Sequence, residues 1–258
     1  MKAFCFIQAR LSSTRFPRKV LQEIWNGKNA IDLIIERLSP IFNENIVLTT
    51  TINHADDELV ELYKDKIKIF RGSENDVFDR MTKAVAQYCS GGASTVVEIT
   101  SDCPLICPNQ IQKALETFQA LDYDYLSNAI IRNFPIGFDF QIYEAWMLSA
   151  LNYRIPNKNH KIHGGWNIAN YSHILYCIAG KKINLRYGHC FADERYFHPA
   201  WRLTLDYKED LQLLKEIYKR FDKVRFTMED VVELILAEPE LLDINKNCKQ
   251  KVAGTDKL

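Results

Sequence analysis

Short runs of β-forming residues alternate with helix-periodic segments through the first hundred residues, and this alternation constrains the possible fold most strongly. The predicted strands cover 4–7, 45–51, 67–70 and 95–100. The predicted helices between them cover 30–38, 58–63 and 76–88. Strand–helix alternation is typical of an α/β fold with a mainly parallel central sheet flanked by helices. Such sheets bind ligands beyond the carboxyl ends of their strands, so the loops at those ends are the first candidates for a binding site.

The second half of the sequence is less regular. Its predicted strands cover 124–127, 137–143 and 201–206. Its predicted helices cover 146–151, 210–221 and 228–237. Between them, residues 152–165 are polar and turn-rich, which favours a long loop or lid over a linker between domains. We expect a single domain over 1–246 and a polar tail over 247–258.

Composition excludes several function classes. The chain has 258 residues, 33 basic and 33 acidic side chains, and therefore no formal net charge. General nucleic-acid and anionic-membrane binders usually carry a basic excess, so neither is expected. The apolar run at the start is too short for a signal peptide or a membrane span. Seven scattered cysteines without paired spacing favour free thiols, and we expect a cytoplasmic protein.

The loop after the first predicted strand is rich in cations and hydroxyls. It follows Gln8 and Ala9, and no acidic residue occurs before Glu23. Its polar side chains are Arg10, Ser12, Ser13, Thr14, Arg15, Arg18 and Lys19. Hydroxyls and backbone amides supply directed donors, while guanidinium and ammonium groups supply positive charge. In a neutral chain this local concentration of charge predicts a binding site for a polyphosphate.

Two aspartates follow predicted strands in different halves of the chain. Asp102 comes after the run 95–100, and Asp206 closes the run 201–206. Carboxylates that meet at the ligand-binding edge of a sheet, together with phosphate oxygens, suit Mg²⁺. Taken singly, each aspartate could equally be a helix N-cap. Together with the basic loop, they predict a metal site.

Seven ordered blocks of the sequence resemble the cytidylyltransferases of the spore-coat polysaccharide biosynthesis type. This group is related to the acylneuraminate and 3-deoxy-manno-octulosonate cytidylyltransferases. The blocks are IQARLSSTRFPRKVL (7–21), FRGSENDVFDR (70–80), EITSDCPLI (98–106), DYLSN (124–128), FPIGFDFQIYE (134–144), WRLTLDYKEDL (201–211) and FTMEDVVELI (226–235).

The resemblance implies a Rossmann-like, glycosyltransferase-A-like nucleotidyltransferase fold and a defined reaction. A sugar hydroxyl would attack the α-phosphorus of CTP and release pyrophosphate, with Mg²⁺ held by Asp102 and Asp206. Arg10, Arg15 and Lys19 would grip the triphosphate, and Lys19 would neutralise the departing pyrophosphate. The other nucleotide-binding positions it implies are Gln8, Ala9, Ser12, Ser13, Arg71, Ser73, Asp79, Arg80 and Ser101. For Asp79 and Arg80, a solvated helix face is the alternative.

The acceptor side of the resemblance is weaker. Asp139 and Asn128 match blocks near the acceptor sugar, although Asp139 could equally face outward from a strand. A Glu-His-x-Thr-Pro-Tyr stretch is common in the family, whereas residues 160–173 here read HKIHGGWNIANYSH. His163 or Asn170 could fill part of that role, and a structural loop histidine is the alternative. The identity of the sugar, expected to be acidic or amino and destined for a surface glycan, therefore stays open.

The resemblance divides the domain by function and leaves two rivals. It implies a nucleotide-binding half at about 1–125, an acceptor region at about 126–200 and a closing strand and helices at 201–246. Related enzymes pair through the second-half insertion, which allows a homodimer.

The rivals are a glycosyltransferase on the same fold and a non-catalytic nucleotide-binding relative. The single acid in Ser101-Asp102-Cys103, where glycosyltransferases typically carry Asp-x-Asp, favours nucleotidyl transfer.

Overall fold

The computed structural model describes residues 2–89, 94–154, 161–162, 166–167 and 185–250. A seven-stranded sheet of order β11-β7-β8-β6-β1-β4-β5 forms its centre. The strands of the described residues are β1 (Lys2–Gln8), β2 (Glu23–Trp25), β3 (Lys28–Asn29), β4 (Ile46–Thr51), β5 (Lys68–Gly72), β6 (Ser94–Thr100), β7 (Tyr125–Ser127), β8 (Gln141–Glu144), β9 (Lys161–Ile162), β10 (Trp166–Asn167) and β11 (Tyr187–His189). Within the central sheet β8 runs antiparallel to both neighbours, and the other pairs are parallel. The predicted mainly parallel α/β fold is confirmed.

Seven α-helices lie within the described residues: α1 (Ala30–Phe42), α2 (Asp57–Tyr63), α3 (Val77–Tyr88), α4 (Pro108–Ala120), α5 (Trp146–Arg154), α6 (Lys208–Phe221) and α7 (Met228–Ala237). Six of them confirm predicted helices. Sequence analysis missed α4, although a proline at its first turn and apolar residues at helical spacing both mark it. Its buried face is Ile111, Ala114, Leu115 and Phe118.

Helices cover both faces of the sheet because its central strands are apolar on both sides. On β1, Cys5 and Ile7 pack into a cluster with α1, α2 and α4. Phe4 and Phe6, the alternating residues, pack against α3 and α5. A third cluster joins α6 and α7 to the β2–β3 hairpin and to α1. Strands buried on both faces are expected to read as continuous apolar runs, as Phe4–Ile7 does.

The winding of the chain places the candidate site. From β1 the chain moves through α1, β4 and α2 to β5 at the sheet edge, then returns through α3 to β6 on the other side of β1. The winding direction therefore reverses between β1 and β6. Gln8 and Thr100, at the carboxyl ends of these two strands, lie directly opposite one another. In open α/β sheets this switch point is where ligands bind.

Two predicted strands are wrong in whole or in part. Residues 201–206 form only one bridge, between Arg202 and Ile136, and the Leu205 amide bonds to the loop after β6 instead of to a strand. The predicted strand at 137–143 begins only at Gln141. Gly137 has φ 116°, and a Cβ there would lie 2.5 Å from the Leu203 carbonyl oxygen. Close approach of these two backbones therefore requires glycine and breaks the strand.

No helix of the described residues is long and apolar enough to cross a membrane. The six cysteines in the described part of the chain are unpaired, four of them buried. Of the loop predicted at 152–165, residues 152–154 instead continue α5, and Lys161–Ile162 form β9. The rest of that loop and most of the divergent segment 160–173 lie outside the described residues.

Candidate active site

The loops that follow β1 and β6 meet at the switch point. The Ser101 backbone amide donates to the Gln8 carbonyl at 2.9 Å, which continues the sheet register past the end of β6. Asp102 is the next residue. Segment 201–206 is held beside Asp102 because the Leu205 amide donates to the Asp102 carbonyl at 2.8 Å. The Thr204 hydroxyl donates to that carbonyl as well, at 3.1 Å. Asp102 and Asp206 are thereby brought together from distant parts of the sequence.

Lys19 bridges the two aspartates. Its Nζ lies 2.7 Å from Asp102 Oδ2 and 2.8 Å from Asp206 Oδ1. A short 3₁₀ turn, Lys19–Leu21, holds the lysine in place, and Val20 anchors that turn in the core. The basic loop and both predicted metal ligands therefore share one contact. This is the central geometric feature of the site.

Burial and charge act in opposite directions on this cluster. The Lys19 side chain is only 11% exposed. Burial disfavours the charged form of Lys19, yet the two carboxylates outweigh it and raise the pKa of the ammonium. Burial likewise works against ionised Asp102, and the attraction of Lys19 lowers the pKa of that carboxyl overall. Lys19 and Asp102 are consequently charged at neutral pH, and Asp102 can serve as an anionic ligand.

Two further cationic side chains contact Asp206. The Arg15 guanidinium lies 2.7 Å from Asp206 Oδ1, and Arg202 Nη2 lies 3.2 Å from Oδ2. Arg202 is itself paired at 2.6 Å with Asp210, which also accepts from the Asp206 backbone amide at 2.8 Å. Asn245, close to the chain's C-terminal tail, donates to Asp210 at 2.9 Å. Arg202, Asp210 and Asn245 thus fix the orientation of Asp206.

The basic loop, residues 9–18, lies between β1 and Lys19. The amide of Leu11 donates to Oδ1 of buried Asp56 at 2.7 Å, which ties the loop to the end of β4. Ala9 is buried, and its amide donates to the Thr49 carbonyl at 3.0 Å. The Ser12 hydroxyl and the Arg10 guanidinium both face Glu74. Ser13 is half-buried in the same loop.

Arg71 and Asp79 both pair with nearby groups, and their predicted roles in nucleotide binding stay predictions. The Arg71 guanidinium holds the 51–57 turn through the Thr51 carbonyl at 2.8 Å and Asp57 at 2.6 Å. It lines a surface cavity of about 460 Å³ with Ile52, His54, Asp57, Val60 and Glu61, none of which belongs to the site. Asp79 pairs with Lys83 one turn along α3, as the solvated-face alternative expected. Both side chains therefore stabilise local structure.

Arg80 and its neighbours underlie the loop. The Arg80 side chain is buried, and its Nη1 donates to the Ser73 carbonyl at 2.6 Å. The solvated-face alternative is therefore wrong for Arg80. Gln8 joins Arg80 to buried Glu98, which also accepts from the Tyr143 hydroxyl at 2.7 Å. The Ser73 hydroxyl accepts from the backbone amide of Asp76, the N-cap residue of α3. Arg80 thus joins Ser73, in the segment before α3, to Gln8 at the end of β1.

The acceptor-side residues have different roles. Asn128 is buried, and its amide group bonds the Phe138 carbonyl at 2.8 Å and the Phe140 amide at 2.9 Å. Through these contacts Asn128 positions the loop that carries Asp139, and its role in sugar binding stays a prediction. Asp139 forms a two-point ion pair with Arg132 at 2.7 and 3.1 Å and is about one-quarter exposed. His163 and Asn170 lie outside the described residues.

Several functional candidates escaped sequence analysis. Glu74 lies within a block that resembles the family, and Asp56 lies in a polar turn after a predicted strand. Arg202 lies in the block 201–211, which also contains Asp206. Each was present in a segment of interest, but only the folded geometry shows that its side chain points toward the site. Charged side chains of this kind have no periodic signal in a sequence.

A Rossmann-like sheet with cations and carboxylates gathered at its switch point defines a nucleotidyltransferase. The cytidylyltransferase family model matches residues 4–134, which include the basic loop and Asp102. The chain belongs to the cytidylyltransferase family. Asp206 and its supporting residues lie beyond the matched range.

Known proteins extend the likeness over the whole chain. A cytidylyltransferase structure from Leptospira borgpetersenii superposes with a TM-score of 0.81 at 26% identity, covering 98% of this chain and 99% of that one. Spore coat polysaccharide biosynthesis protein SpsF from Bacillus subtilis is 28% identical over 83% of this chain and 85% of its own length. The 3-deoxy-manno-octulosonate cytidylyltransferase 2 of Hydrogenovibrio crunogenus is 30% identical over 48% of this chain and 50% of its own. These comparisons confirm the family resemblance inferred from the sequence.

Proposed function

We propose that this protein transfers a cytidylyl group from CTP to a hydroxyl of an acidic or amino sugar, with release of pyrophosphate. The observation that carries the proposal is the Lys19 ammonium shared by Asp102 and Asp206 at the switch point. This cluster combines a cation that can bind phosphate with two carboxylates that can bind a metal ion. The family supports the choice of CTP, since its members are named for cytidylyl transfer.

Asp102 and Asp206 fit Mg²⁺ as ligands. Both are anionic oxygen donors, and their oxygens already converge on one cation, Lys19 Nζ. Among the described residues no third Asp, Glu, His or Cys joins them, so phosphate oxygens and water would complete the coordination. When bound there, Mg²⁺ would supply electrophilic charge to the α-phosphate.

The chain's own residues would position the substrates and stabilise charge. In the proposed reaction the sugar oxygen bonds to the α-phosphorus, the bond from that phosphorus to the bridging oxygen breaks, and the hydroxyl proton passes to solvent. The negative charge that develops on the leaving pyrophosphate is neutralised by Lys19 and the nearby Arg15. Reactions of this type depend mainly on positioning and on preorganised charge. Arg202 and Asp210 contribute by holding Asp206 in place.

The acceptor proposal is supported by relatives rather than by a contact. SpsF is named for spore coat polysaccharide biosynthesis, and the second relative is named for 3-deoxy-manno-octulosonate, an acidic sugar. A charged residue pair, Arg132 with Asp139, lies near the site, since burial, together with the Asp139 charge, raises the pKa of Cys103, the residue after Asp102. An acidic or amino sugar is the class that such a pair could hold.

A substrate screen tests the proposal. The four nucleoside triphosphates would be incubated with acidic, amino and phosphorylated sugars and Mg²⁺, and pyrophosphate would be measured. We expect release that requires both CTP and one class of sugar and that is lost in Asp206→Asn. Cleavage of a nucleotide sugar without pyrophosphate would instead identify a glycosyltransferase. Failure to bind any nucleoside triphosphate in calorimetry would favour a non-catalytic binding or scaffold protein descended from the enzyme, whereas binding without turnover would identify a non-catalytic nucleotide-binding relative.

A further inference from the structure

Glu74 places a carboxylate among the hydrogen-bond donors of the basic loop. The Ser12 hydroxyl donates to Glu74 Oε1 at 2.5 Å, and the Asn53 amide donates to Oε2 at 2.9 Å. The Arg10 guanidinium lies 3.9 Å from Oε1. These partners come from two loops that converge on one anion. A hydroxyl, an amide and a guanidinium around a negative group form the kind of environment that also binds a phosphate.

The surroundings hold the Glu74 carboxylate in its charged form. The hydrogen bonds from Asn53 and Ser12, with the nearby charges of Arg10 and Arg80, lower the pKa of this group. At neutral pH Glu74 is therefore a full negative charge beside the loop proposed to bind a triphosphate. A nucleotide approaching Ser12 and Arg10 meets both the repulsion of this charge and competition for its donors.

The backbone on either side of Glu74 is anchored, whereas its side chain is not fully enclosed. Buried Arg80 bonds the Ser73 carbonyl at 2.6 Å, and the Ser73 hydroxyl accepts from the Asp76 amide at 3.0 Å. Gly72 permits this packing, since a Cβ there would lie 2.8 Å from the Arg80 side chain. The Glu74 side chain itself is 26% exposed. Rotation of that side chain can therefore release Ser12 and Arg10 without remodelling the loop.

We propose that Glu74 is a built-in substitute for phosphate that occupies Ser12 and Arg10 in the nucleotide-free protein and lowers the affinity for triphosphate. The inference rests on the proposed function, because it assigns this loop to the triphosphate. The carboxylate keeps the loop ordered when no nucleotide is bound. Triphosphate, with its larger charge, displaces the carboxylate and takes over its donors. Glu74 thereby sets the concentration of CTP at which the site fills.

Calorimetry with CTP and with inorganic tripolyphosphate tests this inference on Glu74→Gln. Glutamine keeps the shape and one acceptor oxygen but removes the charge. We expect roughly tenfold tighter binding of both ligands, since a neighbouring like charge is removed from a partly shielded site. The gain should shrink at high salt. It should also shrink when Ser12→Ala is added, because one of the contested donors is then missing.

Glu61→Gln is the matched control. It removes the same charge from an exposed residue whose ion pair is with Lys64, three residues further along at the C-terminal end of α2. Its affinities should equal those of the wild type, and circular dichroism should show that all variants remain folded.

The outcomes separate the two claims. If wild-type protein binds CTP and Glu74→Gln binds it equally or more weakly, the Glu74 inference is overturned and the proposed function stands. If tripolyphosphate responds to Glu74→Gln while CTP never binds, the inference stands and the proposed function is refuted. Absence of binding of either ligand by every variant overturns both.

Discussion

Replacing Lys19 with methionine removes the central contact of the site while retaining much of the apolar stem. The Nζ atom lies 2.7 Å from Asp102 and 2.8 Å from Asp206. At an effective dielectric constant of about 20, each such contact has a Coulomb attraction of about 6 kcal/mol. The cost of burying three charges offsets most of this attraction. Because Arg15 and Arg202 still face Asp206, we expect the free energy of unfolding to fall by about 3 kcal/mol, the low end for a broken buried pair.

The pH dependence identifies the source of that loss. The folded pKa of Asp102 is lowered, so its stabilising contribution is complete above its ordinary pKa of about 3.9 and is lost as the pH falls through the folded pKa. The folded pKa of Lys19 is raised, so its contribution is complete below about pH 10.4 and is lost as the pH rises through the folded pKa. The stability difference between wild type and Lys19→Met should therefore be greatest at neutral pH and shrink toward both extremes.

Urea unfolding followed by circular dichroism measures this difference. Lys28→Met is the control, since Lys28 forms a more exposed pair with Glu36 and should cost less than about 1 kcal/mol. Mg²⁺ should raise the melting temperature of Lys19→Met more than that of the wild type, because two carboxylates then lack their shared ammonium. Equal losses in the two variants, or a difference that does not change with pH, would refute the reasoning.

Three further predictions concern turnover and stability. Asp102→Asn and Asp206→Asn should each reduce the rate of pyrophosphate release by about two to three orders of magnitude with unchanged circular dichroism; near-wild-type rates would refute their assignment as metal ligands. Arg37→Met should lower the free energy of unfolding by about 3 kcal/mol, since its buried guanidinium bonds the Ile106 and Phe226 carbonyls, and an unchanged urea midpoint would contradict this. Asn128→Leu should cost about 2 kcal/mol through two lost backbone contacts, and a loss of sugar affinity at full stability would support its predicted acceptor role.

The sequence was sufficient for the features that follow from periodicity and strand ends. Apolar alternation predicted most of the helices and the parallel strands. Placing Asp102 beyond β6 and the basic loop beyond β1 brought the two to the same edge of the sheet. Asp206 reached that edge for a different reason than expected, because loop hydrogen bonds rather than sheet pairing hold 201–206 there.

The remaining features depend on side-chain directions that no spacing rule contains. Arg71 and Asp79 lie in a block that resembles the family, yet their side chains pair with local acids and bases. Asn128 has the polarity of a sugar contact but satisfies buried backbone groups. Glu74 lies within a block that resembles the family, but the sequence does not single it out, because a carboxylate is not expected in a phosphate loop. Its position becomes understandable only when Ser12 and Asn53 are seen to converge on it.

The most direct test of cytidylyl transfer follows the α-phosphate. CTP radiolabelled at its α-phosphorus would be incubated with Mg²⁺ and the sugar identified in the screen, using wild-type protein and Asp206→Asn. We predict that the label passes to a CMP–sugar product with one pyrophosphate released per transfer, and that Asp206→Asn abolishes both. Label that remains in CTP or appears only as free CMP, or a product that forms equally well in Asp206→Asn, would contradict the assignment.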